Sequence, residues 1–241
     1  MHETTIILDG LSGDLLLEGP TRHPDLLDGL ARLLGEPQDI ACARPSRVQH
    51  PAESAMSVSS PGPAVEISGY YHGSLIEGPG RRSVALFTYC PLRCKGCLVP
   101  ELHARGSGTR LPVSALARLL MDPAYDRDGV SLLGGEPFGQ PEALWGLVCE
   151  LRSLACSHLC VYSGYTLEAL QHQSRSEPSI GAVLREIDLL IDGPFVARLA
   201  GGAGPWTGSG NQRLIVLNHG VPVRILRAGE ELALWPSQSN S

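Results

Sequence analysis

The chain has 241 residues, of which 43% are hydrophobic and 18% are charged, a balance typical of a globular protein with one sizeable core. The formal net charge of -6 and the lack of a basic run in the sequence argue against a nucleic-acid binder. No apolar run approaches the ~20 residues of a membrane-spanning helix, and the N-terminus lacks the basic region that begins a signal peptide. We therefore expect a cytoplasmic protein with no membrane partner and no nucleic-acid partner.

Residues 1–62 are predicted to form a small N-terminal βα extension and a linker. The segments TTIILDG and DLLLEG have the pattern of two short strands joined by a glycine-containing turn. Downstream, PDLLDGLARLLGE repeats leucine at helical spacing, which predicts an amphipathic helix. The segment HPAESAMSVSSPGPA then shows no periodicity, and its proline and serine content is typical of a loop.

Strand and helix patterns alternate over residues 63–218. The predicted strands are VEISGYY, SVALFTY, GVSLL, LCVYSG and DLLIDG, and the predicted helices are VSALARLLM, PEALWGLVCELRSL, LEALQHQ and IGAVLREI. Such alternation predicts an α/β fold with a mostly parallel sheet covered by helices. The units are too few for a complete eight-stranded barrel, so we expect a partial, open (β/α) barrel. Residues 219–241 are predicted to add a hairpin and a polar tail.

Three cysteines stand close together at Cys90, Cys94 and Cys97, in TYCPLRCKGCLVPE. Thiolates are soft ligands that favour zinc or iron–sulfur chemistry over calcium, magnesium or manganese. Three protein ligands leave one of four positions open, as in catalytic rather than structural metal sites. A cubane iron–sulfur cluster held in this way has one iron free to bind a small molecule. A zinc site completed by His72 or His103 is the alternative on ligand type alone.

The remaining cysteines have a simpler interpretation. Seven cysteines, three of them clustered, suit a reducing compartment better than a disulfide framework. Cys149 and Cys156 fall in a helical pattern and Cys160 opens a strand, so we expect all three to pack in the core. An auxiliary cluster or a redox pair is the alternative. Cys42 stands alone and is assigned no role.

A glycine pair, Gly134 and Gly135, follows the predicted strand GVSLL. Glycine accepts positive backbone torsions and lets a ligand approach the peptide groups directly. Glu136 adds a carboxylate suited to an ammonium group, and Pro137 fits the first position of the following helix. Backbone acceptors with one carboxylate suit the amine of an amino acid.

The segments that carry chemistry all follow predicted strands. Cys90, Gly134 to Pro137, Ser163 with Gly164, and Asp192 with Gly193 each come directly after one. Ligands of parallel α/β sheets bind at the carboxyl ends of the strands, so we expect these segments to meet at one rim.

In order along the chain, these motifs resemble the radical S-adenosylmethionine superfamily, and within it the activating proteins of anaerobic ribonucleotide reductase and related glycyl-radical activases. The matching segments are GPGRRSVALF, CKGC, GGEPFGQP, VYSGYTLEAL, IDLLIDGPFVARL and GSGNQRLIVL. The chain departs from that branch at Lys95, where proline is usual, at Leu98, where tyrosine is frequent, and at GGEP, where GGDP is more common. The cysteines and the glycine pair are retained.

The resemblance implies two cofactors, a [4Fe-4S] cluster and S-adenosylmethionine. It implies that Cys90, Cys94 and Cys97 ligate the cluster, and that the amine of S-adenosylmethionine meets the turn formed by Gly134, Gly135, Glu136 and Pro137. It also implies that Gly96, Cys97 and Leu98 border the adenine and that Ser163, Gly164 and Asn211 stand at the rim of the cofactor site. No catalytic residue beyond the cluster is implied.

The implied reaction is reductive cleavage of S-adenosylmethionine to a 5′-deoxyadenosyl radical, which abstracts a hydrogen atom. In the activases that the chain resembles, the hydrogen comes from a glycine of a large partner enzyme, such as anaerobic ribonucleotide reductase. A radical enzyme that acts on a peptide or a small metabolite is the first alternative. An electron-transfer or scaffold protein without catalysis is the second.

Basic residues flank the cysteine segment in the sequence, namely Arg81, Arg82, Arg93, Lys95 and Arg105. A basic collar around the cluster would steer an acidic electron donor, such as flavodoxin or ferredoxin, because charge complementarity raises encounter rates. A solvated arginine surface with no partner is the alternative.

Overall fold

The computed structural model describes residues 5–8, 15–18, 63–228 and 230. The chain divides into two compact units, residues 1–48 and 49–241. In the first unit, β1 (Thr5–Leu8) and β2 (Leu15–Glu18) pair antiparallel, which confirms the two strands expected there. The helix predicted over PDLLDGLARLLGE and most of the predicted linker lie outside the described residues.

The second unit is built on an eight-stranded sheet. Its strands are β3 (Ala64–Ser74), β4 (Arg82–Phe87), β5 (Thr109–Pro112), β6 (Gly129–Gly134), β7 (Leu159–Ser163), β8 (Leu189–Asp192), β9 (Arg213–Asn218) and β10 (Val221–Arg227). Their order across the sheet is β10-β9-β8-β7-β6-β4-β3-β5, so β10 and β5 form the edges.

The middle of the sheet is parallel and its flanks are antiparallel. Strands β4, β6, β7 and β8 run parallel, whereas β3 and β5 on one side and β9 and β10 on the other join antiparallel. The α/β class is confirmed, but the expectation of a mostly parallel sheet is wrong. Parallel neighbours need a crossover of a dozen or more residues, and residues 75–81 and 219–220 are too few to provide one.

The described region contains four α-helices where apolar periodicity predicts them. They are α1 (Val113–Leu120), α2 (Pro141–Ser153), α3 (Leu167–Gln173) and α4 (Pro178–Glu186). Shorter 3-10 helices span Pro100–His103, Pro137–Gly139 and Ala197–Gly202. Proline begins both α2 and α4, where its missing N–H would have no intrahelical partner anyway. No described helix is both long and apolar enough to cross a membrane.

Apolar side chains cover both faces of the sheet. On β8, Leu190 packs into the main core beneath the helices, while its neighbours Leu189 and Ile191 pack into a smaller cluster. The two clusters lie on opposite faces because successive side chains of a strand point to opposite sides. Burying one such side chain completely is worth about 1.5–3 kcal/mol. The strands are therefore packed on both faces. The loops that follow their carboxyl ends begin from well-packed positions.

Two of the three cysteines downstream of the cluster motif pack in these cores. Cys156 is 4% exposed and Cys160 is completely buried, whereas Cys149 is exposed on α2. Burial raises the pKa of the Cys160 thiol to about 12, which keeps it protonated. Core packing is thus confirmed for Cys156 and Cys160 and wrong for Cys149, because the apolar face of α2 turns away from that position.

Candidate active site

The parallel strands bring the segments singled out in the sequence to one rim of the sheet. Phe87, at the end of β4, lies opposite Gly134 at the end of β6, and Ser163 lies opposite Asp192 at the ends of β7 and β8. Because these strands run in the same direction, the residues that follow them emerge on the same side.

A cleft of about 850 Å³, part of it open to solvent, lies at this rim. Its walls come from the cysteine segment, the glycine pair, the ends of β7 and β8, and the loop before β9. The lining residues are Cys90, Leu92, Cys94, Cys97, Leu98, Val99, His103, Leu133, Gly134, Gly135, Glu136, Tyr162, Ser163, Gly164, Gly193, Phe195, Gly208 and Gln212.

Most residues implied by the resemblance line this cleft together, but three do not. Gly96, Pro137 and Asn211 are absent from its walls. Pro137 is buried in a short 3-10 helix. The Asn211 side chain turns toward the backbone, where it donates to the Pro194 carbonyl at 2.8 Å.

The neighbouring Gln212 does line the cleft, and its side chain holds two loops together. Its carboxamide accepts from Gly208 N at 2.7 Å and donates to the Gly193 carbonyl at 3.0 Å. The motif GSGNQR identifies this loop in the sequence. Only the geometry of the loop decides that Gln212, and not the adjacent Asn211, lines the cleft.

The cysteine segment is anchored by backbone hydrogen bonds at both ends. Cys90 N donates to the His103 carbonyl at 3.3 Å, and Cys97 N donates to the Cys94 carbonyl at 3.1 Å. Between them the chain turns sharply, with positive φ at Arg93 and Gly96. All three thiols are half-buried in the cleft wall, and burial raises the pKa of the Cys90 thiol.

This donor set suits a cluster better than a single zinc ion. Within residues 63–228, no three His, Cys, Asp or Glu side chains are grouped so that they could hold one metal ion. His72 is buried on β3, with Nδ1 2.8 Å from Ser83 Oγ and its ring stacked on Tyr125. The thiolates of a cubane cluster bind separate irons, so they need not converge on one point. Three soft donors in the wall of one cleft fit that requirement.

The glycine pair packs backbone against backbone on the end of β4. Gly135 N donates to the Phe87 carbonyl at 2.8 Å, and Glu136 N donates to the Tyr89 carbonyl at 2.9 Å. Gly134 has a φ of +106°, and a Cβ there would come within 2.7 Å of the Phe87 carbonyl oxygen. Only glycine fits this turn.

Replacing Gly134 with alanine is expected to lower the free energy of unfolding. The positive φ alone costs about 1–2 kcal/mol for a residue with a Cβ, and the collision with the β4 backbone adds to that. Urea denaturation followed by circular dichroism measures the loss. Gly201→Ala is the matched control, because no atom lies within 4 Å of its Cβ position, and it should stay within about 0.5 kcal/mol of the parent. Equal losses in both variants would contradict the expectation.

Glu136 is completely buried and joins its own segment of the rim to the one at the end of β7. Its Oε1 accepts from Phe138 N at 3.0 Å and from Ser163 Oγ at 3.0 Å, and its Oε2 accepts from Gly164 N at 2.8 Å. Burial raises the pKa of the Glu136 carboxyl to about 7, against the opposing effect of these donors. The carboxyl therefore titrates near neutrality.

A buried ion pair fixes the far wall of the cleft. Asp192 is completely buried at the end of β8, and its carboxylate accepts from Arg213 Nε at 2.9 Å and from Leu167 N at 2.7 Å. Arg213 also donates to the carboxylate of Glu168. These bonds tie β8, β9 and the start of α3 together behind Gly193.

The predicted basic collar is smaller than the sequence suggests. Arg81 and Arg82 lie at the start of β4, the end of the strand remote from Cys90. Arg82 is completely buried, where it donates to Ser131 Oγ at 2.9 Å and to three backbone carbonyls. A guanidinium with five donors can be satisfied by carbonyls without a carboxylate. Arg81 and Arg82 therefore do not belong to a collar around the cysteines.

Arg93, Lys95 and Arg105 are the basic residues that lie exposed near the cysteines. The Arg105 guanidinium stacks on the ring of Tyr89, 3.7 Å from its centroid. Lys95 stands between two of the cysteines and is the only lysine in the sequence. These three side chains therefore add positive charge to the surface around the cysteine segment.

Residues 76–215, more than half of the chain, match the family model described as a 4Fe-4S single cluster domain. The chain is 31% identical over 150 residues to the anaerobic ribonucleoside-triphosphate reductase-activating protein of Vibrio cholerae, which covers 59% of this chain and 92% of the relative. It is 30% identical over 151 residues to the protein of the same name from Escherichia coli, with 59% and 93% covered. The pyruvate formate-lyase-activating enzyme of Clostridium pasteurianum is 39% identical over 74 residues, or 29% of this chain and 31% of that enzyme.

These similarities confirm the resemblance seen in the motifs, and with it the expected pair of cofactors, a [4Fe-4S] cluster and S-adenosylmethionine. The matched residues contain the three cysteines, the glycine pair and Glu136. The chain belongs to the family of the 4Fe-4S single cluster domain, together with the anaerobic ribonucleoside-triphosphate reductase-activating proteins.

Proposed function

We propose that this chain is a radical S-adenosylmethionine activase that removes a hydrogen atom from a glycine of a partner enzyme, and that the partner is an anaerobic ribonucleotide reductase. The observation that carries the proposal is the cleft itself, in which three cysteines, a glycine pair and a buried glutamate meet. The relatives from V. cholerae and E. coli, named as activating proteins of that reductase, support the choice of partner.

Cys90, Cys94 and Cys97 would hold the cluster in this proposal, and S-adenosylmethionine would bind beside it in the same cleft. When bound, the pair supplies a one-electron reduction that generates a hydrogen-abstracting radical. The protein's task is to hold both groups, to exclude water from them and to admit one hydrogen donor. Half-buried thiols at the mouth of a cleft suit this task, because they hold the cluster at the surface where electrons arrive.

The glycine pair and Glu136 form the proposed seat for the cofactor's amine, with Pro137 fixing the turn behind them. A positive partner stabilises the ionised form of a buried carboxylate strongly, because the pairing compensates for its lost hydration. Ser163 Oγ and Gly164 N hold that carboxylate in place.

The adenine is proposed to lie beside Gly96, Cys97 and Leu98. The Leu98 side chain is 74% exposed and lines the cleft, which gives a flat ring an apolar surface to cover. Asn211 acts from outside the cleft, because it holds the Pro194 carbonyl next to Gly193.

We propose that residues 63–218 form the partial, open (β/α) barrel of the radical S-adenosylmethionine type, with 1–62 as an N-terminal extension and 219–241 as a C-terminal hairpin and tail. The four parallel strands at the centre of the sheet, with the cleft at their carboxyl ends, support this. A reducing cytoplasm is the proposed compartment, since the six described cysteines are all free.

Arg93, Lys95 and Arg105 are the proposed docking site for an acidic electron donor, flavodoxin or ferredoxin. Arg93 and Lys95 lie within the cysteine segment and Arg105 shortly after it, and all three are exposed, so a donor bound to them would lie close to that segment. Charge complementarity of this kind raises the rate of encounter and weakens with added salt.

A peptide or a small metabolite is the second candidate substrate. One observation favours it: the alignment covers 92% of the V. cholerae relative but only 59% of this chain. The additional residues provide material for a recognition surface that the relatives lack.

Anaerobically reconstituted protein, reduced with dithionite and given S-adenosylmethionine, should release 5′-deoxyadenosine. Co-incubation with the anaerobic ribonucleotide reductase of the same organism should then produce a glycyl-radical signal in electron paramagnetic resonance. Release of 5′-deoxyadenosine without that signal would reject the reductase and support the second candidate. No release at all would reject both.

A further inference from the structure

The imidazole of His103 carries a polar atom that no described residue satisfies. Its Nε2 is buried and has no hydrogen-bond partner, although the residue lines the same cleft as the three cysteines. Buried polar atoms are nearly always paired, and an unpaired one in a native protein calls for an explanation. A group that binds in the cleft would provide the missing partner.

The backbone of His103 is held in place by a short helix and by a hydrogen bond to the cysteine segment. The 3-10 helix Pro100–His103 ends at this residue, and Leu102, 7% exposed, packs inward beside it. The His103 carbonyl accepts from Cys90 N at 3.3 Å. The backbone of His103 is therefore attached to that of Cys90, the first proposed cluster ligand, and the residue lines the same cleft as the three thiols.

The neighbours of His103 in the cleft wall narrow the choice of partner. The side chains of Leu98 and Val99, which precede its helix, are apolar and offer no acceptor. An imidazole Nε2–H is a donor, and the sulfurs held by the adjacent cysteines are acceptors. We propose that His103 Nε2–H donates a hydrogen bond to a sulfur of the iron–sulfur cluster and thereby sets its reduction potential; this rests on the cluster site proposed above.

Loss of this hydrogen bond is expected to shift the reduction potential of the cluster in one direction. Reduction adds negative charge to the cluster, and hydrogen bonds to its sulfurs are among the factors that set its potential. A donor stabilises the more negative, reduced form, so losing it makes the cluster harder to reduce. His103 would thus set the reduction potential of the cluster without contacting the molecule that gives up the hydrogen atom.

The test is a potentiometric titration of the reconstituted cluster without S-adenosylmethionine or partner, followed by electron paramagnetic resonance of the reduced form. His103→Phe keeps a ring but removes the donor, and its midpoint potential should move to a more negative value. His103→Gln places an amide N–H near the same point, so most of the shift should be reversed. His172→Phe, an exposed histidine on α3, is the control and should leave the potential unchanged. Iron and sulfide contents must match those of the parent.

An unchanged potential in a fully loaded His103→Phe protein would overturn the inference. So would an unchanged potential with weakened binding of S-adenosylmethionine, since the ring would then contact that cofactor instead. If the phenylalanine variant takes up no cluster, His103→Leu is compared with His103→Gln in its place, with the same criterion. A parent protein that holds no cluster would reject the proposed function itself, whereas a parent that cleaves S-adenosylmethionine beside unshifted variants rejects only the role of His103.

Discussion

Replacing Cys94 with alanine is expected to abolish cluster incorporation and the cleavage of S-adenosylmethionine together. In the proposed site each of the three thiolates would bind a separate iron, so the loss of one would leave two ligands for four irons. Cys90, Cys94 and Cys97 are the only cysteines that line the cleft in residues 63–228, so no described thiol can replace the missing one. Iron and sulfide per protein, and release of 5′-deoxyadenosine, are the measurements.

Cys149→Ala is the matched control for that experiment. Cys149 is a free, exposed thiol on α2 and does not line the cleft, so the variant should keep a full cluster and full cleavage. If this variant also lost iron, the result would favour the alternative interpretation of Cys149 as a ligand of an auxiliary cluster. A Cys94→Ala protein that retained its cluster would remove the basis for the assigned ligands.

Replacing Glu136 with leucine is expected to remove binding of S-adenosylmethionine and to destabilise the rim. Leucine leaves Phe138 N, Ser163 Oγ and Gly164 N without their acceptor, and each unsatisfied buried donor costs about 1–3 kcal/mol. Glu136→Gln keeps the shape and one acceptor oxygen, so its stability should fall less. Anaerobic calorimetric titration of the loaded protein with S-adenosylmethionine measures binding, and urea denaturation measures stability. Unchanged affinity in the leucine variant would reject this seat for the amine.

The same carboxyl predicts a dependence on pH. Because burial raises the pKa of Glu136 to about 7, the group is largely neutral at about pH 6 and largely ionised at about pH 8, and only the ionised form can pair with an ammonium. Affinity for S-adenosylmethionine should therefore rise through neutrality, and Glu136→Gln should flatten that rise. The folded-state pKa lies above the ordinary value of 4.5, so the folded state binds the proton more tightly than the unfolded state does. This carboxyl thus makes the fold less stable as pH rises between about 4.5 and about 7.

The central strands could be predicted because each is a continuous apolar run between helical patterns. Strand β5 could not, since its four residues, Thr109–Pro112, carry no alternation and gain strand geometry only by pairing with β3. The cysteines and the glycine pair could be assigned because their residue types are needed at those positions. His103, Phe195 and Gln212 reach the cleft through loop geometry, which has no periodicity to read. The burial of Arg82 could not be predicted, because arginine is almost never fully buried unless paired.

The buried Arg82 fixes the end of the sheet that lies opposite the cleft. Its guanidinium binds the carbonyls of Pro79, Val130 and His158, and the Glu77 carbonyl accepts from Ser131 Oγ beside it. These bonds stitch the loop of residues 75–81 across the amino ends of the strands. The amino ends of these strands are therefore fixed by a buried cation, while the cleft lies at their carboxyl ends. In the proposed function, a partner bound over the cleft would cover the cysteines and the glycine pair, so we expect S-adenosylmethionine to bind before the partner does.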